Sequence, residues 1–81
     1  MEEVSWMVKM ENIEKNGDVV SMDCYEEGDL NRGHHVIFDV ATLEIKNKAA
    51  NNIYTRQSIW RIHNLLKESS ELPRRASSYW Y

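Results

Sequence analysis

Residues 4–25 read VSWMVKMENIEKNGDVVSMDCY, and their alternation decides the fold. Val4, Trp6, Val8 and Met10 share one parity; Ser5, Met7, Lys9 and Glu11 share the other. Period two marks a strand with one buried face, so residues 4–11 are expected as a first strand. Residues 19–25 repeat the pattern, with Val20, Met22 and Cys24 on one side and Val19, Ser21, Asp23 and Tyr25 on the other. Between them Asn16-Gly17 is a hairpin signal. A two-residue turn at Asn16-Gly17 pairs Lys15 with Asp18 and sets Val8 opposite Tyr25, which mixes the faces. A three-residue loop over residues 15–17, with Gly17 left-handed and a bulge there, pairs Met10 with Met22 and Val8 with Cys24. Register follows the buried face, so the three-residue loop is expected.

Outward from the hairpin, residues 26–33 are a loop by composition. A third strand follows over 34–39, with Val36 and Phe38 facing one way and His35 and Ile37 the other. The parity then breaks, because Leu43 and Ile45 belong to the opposite set. A turn over 39–43, with the Asp39 and Thr42 side chains bonding nearby backbone, repairs this. Residues 43–48 then form a fourth strand; one long bulged strand is the alternative. Asn51 and Asn52 are helix-capping residues, with Thr55 a later candidate. Over 53–69, Tyr54, Thr55, Ser58, Ile59, Ile62, Leu65 and Leu66 fall on an arc of about 140°, a core-facing stripe. Pro73 cannot continue the helix. Strands first and helix last predict an α+β fold: a three- or four-stranded antiparallel sheet (a β-meander) with one C-terminal helix packed on one face. The domain is read as residues 1–70, followed by a basic and aromatic C-terminal tail, 71–81.

The chain has 81 residues, enough for one domain. So short a chain buries about 60–65% of its unfolded surface, which makes a partner or a second copy a natural supplement. Cys24 is the only cysteine, so no intrachain disulfide can form, and a reducing cytoplasm fits best. Met1-Glu2-Glu3-Val4 lacks the basic and apolar regions of a secretory signal. Apolar runs such as Val36-Ile37-Phe38 are far too short to span a membrane. Net charge is −3, distributed unevenly. Residues 1–40 carry three basic and ten acidic groups; residues 41–81 carry seven basic and three acidic. A helix lying over an acidic sheet explains such asymmetry, as does an anion-binding end.

Candidate chemistry is sparse. Zinc requires about four ligands, usually in closely spaced pairs. Cys24, His34, His35 and His63 do not supply them, because adjacent strand residues point to opposite faces. Cys24 lies on the apolar side of its strand, where a thiol behaves as a small hydrophobe. The three glycines fall at turns and form no phosphate-binding loop. No catalytic, metal or cofactor residues are assigned, and the protein is read as a non-enzyme.

Two features point to binding. Beside the apolar arc of the helix, Arg56, Trp60, His63 and Lys67 form a basic-aromatic stripe. The tail adds Arg74, Arg75, Tyr79, Trp80 and Tyr81, residue types that anchor interfaces. The leading expectation is a small non-catalytic interaction module that binds a protein partner or itself, aided by open sheet edges. The alternative is a nucleic-acid-associated accessory protein that uses the helix stripe and the tail. No chain resemblance enters either reading.

Overall fold

The computed structural model describes residues 6–49 and 51–80. Val4, Ser5 and Tyr81 lie outside the described residues. The elements run β1 (Trp6–Asn16), β2 (Val19–Glu26), β3 (Gly33–Asp39), α1 (Ile53–Glu68) and β4 (Ala76–Trp80), with a short 3-10 turn at Leu30–Arg32. The strands form one antiparallel sheet in the order β3-β2-β1-β4. Helix α1 packs over β1, β2 and β4, giving the expected α+β architecture. No helix among the described residues is long and apolar enough to cross a membrane.

The core lies between α1 and one face of the sheet. Val8, Met10, Val20, Met22, Cys24, Val36 and Phe38 are fully buried from the strands, and Ile62 from the helix. The predicted stripe of α1 is the buried one. Tyr54, Thr55, Ser58, Ile59 and Ile62 are buried, and Leu65 and Leu66 pack against the core edge. Asn52 caps the helix, its side chain accepting from the Thr55 N–H at 3.0 Å. The buried hydroxyl of Ser58 donates to the Tyr54 carbonyl at 2.8 Å, which removes the cost of an unpaired group.

The hairpin register differs from expectation. Asn16 pairs with Val19, so the turn has two central residues, Gly17 and Asp18. Gly17 takes φ +61°, as expected, and allows a turn of the type II′ class. The bulge is not there. It lies between Glu11 and Glu14, where Asn12 and Ile13 together oppose Met22. Beyond it Met10 pairs with Cys24 and Val8 with Glu26, two residues away from the expected partners. Ile13 supplies the reason. It is buried with Val8 and Met10 yet has the opposite parity. A regular strand cannot bury all three on one face, and one extra residue restores the phase. Asn12 carries that residue at φ +52°, a left-handed conformation that asparagine tolerates better than most.

The turn over 39–43 forms as expected. The Asp39 carboxylate accepts from the Ala41 and Thr42 amides at 2.8 and 3.1 Å, and the Leu43 N–H donates to the Asp39 carbonyl at 2.8 Å. The predicted fourth strand over 43–48 does not follow. That segment keeps a single bridge, Ile45 to Phe38. The ladder stops because the Asn47 side chain takes the place of backbone: its Oδ1 accepts from the Ile37 N–H at 3.1 Å, and its Nδ2 donates to the His35 carbonyl at 2.8 Å. The fourth strand is instead β4, drawn from the segment expected as a tail. Two residues before it, the Ile13 N–H, turned by the bulge, donates to the Arg74 carbonyl at 3.1 Å.

Candidate functional site

The two outer strands, β3 and β4, end the sheet differently. In β2 and β3 the core residues Met22 and Val36 pair with each other, leaving the backbone of His35, Ile37 and Asp39 aimed outward. Nearly all of these groups have partners. Asn47 takes the His35 carbonyl and the Ile37 N–H. The Lys46 N–H donates to the Ile37 carbonyl at 2.6 Å, and the Asp39 N–H to the Glu44 carbonyl at 2.9 Å.

At β4 the alternation runs the other way. The Glu27 N–H donates to the Met7 carbonyl at 3.0 Å, so Met7, Lys9 and Glu11 aim their backbone at β2. Trp6, Val8 and Met10 therefore aim theirs at Trp80, Ser78 and Ala76 of β4. That leaves the N–H and C=O of Ser77 and Tyr79 pointing outward. No described residue bonds to them. A notch of about 350 Å³ runs beside this edge, lined by Arg61, Ser77, Ser78 and Tyr79.

The aromatic tail is divided between the faces. Trp80 packs edge-on against Tyr54, with ring centroids 5.7 Å apart, and Tyr54 in turn meets Trp6 at 6.1 Å. Tyr79 points to the opposite face and is 68% exposed. Arg74 and Arg75 lie over β1, with Glu14 at 3.6 Å and Glu11 at 3.8 Å. Both arginines are well exposed, so these pairs contribute little to stability.

The helix stripe is a separate surface. Arg56, Trp60 and Lys67 are exposed, and His63 meets Trp60 edge-on at 5.7 Å. Arg56 and Trp60 also line an open groove of about 740 Å³ between α1 and residues 43–49, with Ile59, Leu43, Ile45 and Asn47. No described carboxylate pairs with Arg56, Arg61 or Lys67. The charge asymmetry of the sequence is only partly spatial: Glu11 and Asp23 lie on the uncovered sheet face and the helix cations on the other side, but Arg74 and Arg75 return to the acidic face. The nine predicted site residues do not form one site. Four lie on α1, Arg74, Arg75 and Tyr79 lie on or beside the open sheet face, Trp80 packs under the helix side, and Tyr81 lies outside the described residues.

Reactive groups are occupied structurally. Cys24 is fully buried, and burial pushes its thiol up to about 11, which leaves little thiolate at neutral pH. His34 and His35 point to opposite faces, as their adjacency predicts. His34 meets the Thr55 hydroxyl at 2.9 Å under the helix, and His35 meets the Asp23 carboxylate at 2.8 Å on the open face. No group of three metal-ligating side chains converges among the described residues. Sequence reasoning missed Asn47 and the edge role of Ser77. Neither has a local signal, because each role depends on which strand lies next to it.

The fold and its surfaces define a four-stranded α+β module with one edge covered and, among the described residues, one edge unpaired. The chain matches no family model, no curated protein and no solved structure at a significant level.

Proposed function

We propose that the protein is a small non-catalytic interaction module that receives a strand from a protein partner along the free edge of β4. The observation that carries this reading is the outward backbone of Ser77 and Tyr79, unpaired among the described residues, at the end of the sheet opposite the covered β3 edge. An exposed edge is a template for a further strand, with main-chain hydrogen bonds giving affinity and flanking side chains giving selectivity. Residues 76–80 contain no charge and no proline, the devices that ordinarily blunt an edge. Exposed Tyr79 supplies an aromatic anchor beside it. The buried, unpaired thiol suits a reducing cytoplasm. The test is affinity capture from the protein's own cells with wild type and with Ser77→Pro, which removes one outward N–H and no bond to β1. Partners should be lost from the variant while its circular dichroism and melting temperature hold. An identical captured set would sink the reading.

A second reading has its own observation, the three helix cations without described carboxylate partners flanking half-exposed Trp60. Such a face grips phosphates and stacks a base. The net charge of −3 weighs against it. Fluorescence anisotropy of short labelled single-stranded DNA and RNA decides it: binding that falls steeply with salt and disappears in R56E/K67E supports it, and no binding at low salt removes it.

A further inference from the structure

We infer that the strand received by β4 is β4 of a second copy, so that two chains pair antiparallel about Ser78 into one continuous eight-stranded sheet. The inference rests on the strand-accepting reading above and names its partner. Three observations carry it.

The first is backbone geometry. The outward groups belong to Ser77 and Tyr79, placed symmetrically about Ser78. A two-fold axis at Ser78 sets Ser77 of one copy opposite Tyr79 of the other, twice. Each such pair exchanges two N–H···O=C bonds, which gives four in all. No register slip is required.

The second is side-chain size. Residues 76–80 read Ala-Ser-Ser-Tyr-Trp, three small residues followed by two aromatic ones. Antiparallel pairing about Ser78 places each aromatic opposite a small residue. Tyr79 lies across from Ser77 on the open face, and Trp80 across from Ala76 on the helix face. Ser78 meets Ser78, a pair that can share a hydroxyl hydrogen bond. No charged residue opposes its own copy within these five positions. Arg74 and Arg75, the nearest tail charges, are drawn back over Glu14 and Glu11 of β1. Arg61, which lines the notch, does approach its copy, and this repulsion keeps the association weak.

The third is closure. Pairing consumes both free β4 edges, and the outermost strands of the joined sheet are then the two β3 strands. Their edges are already occupied by residues 44–47. Growth stops at two copies, as an isologous contact requires. A five-residue edge buries less than a standard interface, so the dimer is expected in the micromolar range.

The experiment is sedimentation of the full chain from about 5 to about 500 µM at physiological salt, a range that spans micromolar association. A monomer–dimer equilibrium is expected, weakened roughly 30-fold in Ser77→Pro through two lost donors per dimer. Ser78→Cys provides a readout that survives if the proline variant misfolds. The two Ser78 positions form a non-hydrogen-bonded pair, whose close Cβ atoms suit a disulfide. Mild oxidation should therefore give a covalent dimer through residue 78, with buried Cys24 left unreacted. A wild-type monomer throughout the range overturns the inference, as does a dimer that folded Ser77→Pro leaves unchanged. Neither result touches the broader reading, which the capture comparison judges separately.

Discussion

The strands at the two ends of this sheet differ in how they are held and in what they leave exposed. β3 contributes Val36 and Phe38, both fully buried, and its outer edge is bonded by residues 43–47. β4 contributes Ala76 and Trp80, both only partly buried, and its outer edge is bare among the described residues. The comparison teaches that closing an edge does not take a strand. One backbone bridge and the amide of Asn47 suffice at β3, because a primary amide presents the same donor and acceptor as a peptide unit. No described residue does the same for β4. The weakly anchored strand is also the one with unsatisfied pairing capacity, the combination expected where binding adds stability.

The sharpest way to break this comparison is to remove one anchor from each edge. Phe38→Ala empties a fully buried site on β3 and should cost about 3–5 kcal/mol. That approaches the whole stability of a domain this small. Trp80→Ala removes a half-buried ring that packs on Tyr54 and should cost about 2 kcal/mol. Urea unfolding of both variants measures the difference. Equal losses would show that β4 is as firmly seated as β3.

A smaller effect separates the edges themselves. Asn47→Ala removes both side-chain bonds to β3 and should cost about 1–2 kcal/mol. Amide hydrogen exchange gives the residue-level view. In dilute wild type the Ile37 amide should be protected, whereas those of Ser77 and Tyr79 exchange freely. In the variant Ile37 should lose protection while Ser77 and Tyr79 do not change. Slow exchange at Ser77 and Tyr79 in dilute wild-type monomer would mean that the β4 edge is not bare.

Where the physics was local, the sequence was legible. The α1 stripe follows from helical period, its cap from Asn52, and the turn at Asp39 from a carboxylate two and three residues before the amides it binds. The hairpin register was missed because Ile13 was left outside the first strand. The parity break from Met10 to Ile13 is visible in the sequence and is the same kind of break that exposed the turn over 39–43. The roles of residues 43–48 and 76–80 were misassigned for a different reason. Both segments are short, and pairing decides which becomes a strand. β1 had an open side for one of them, and Asn47 ended the ladder of the other. No periodicity within five residues carries that information.

The smallest expected effect tests the link between the two halves of the sheet. Asp23 lies in β2 and reaches both ways: the Asn12 side chain, at the β1 bulge, donates to it at 2.9 Å, and His35 of β3 meets it at 2.8 Å. The Asn12 hydrogen bond, then the one to His35, holds its carboxyl below the ordinary value of 3.8. The folded chain therefore binds this proton less readily than the unfolded chain. The resulting stabilisation is fully present above about pH 4 and is lost as the pH falls through the depressed folded value. Asp39 adds to the same acid loss, its carboxyl lowered by the Thr42 and Ala41 amides. Melting temperature measured from neutral pH down to about pH 2 should thus fall in the acid limb. In Asp23→Asn the fall should be shallower but not absent, because Asp39 still titrates. An unchanged slope would mean that Asp23 does not bridge the bulge and β3 in solution. The bulge would then be held by the burial of Ile13 alone.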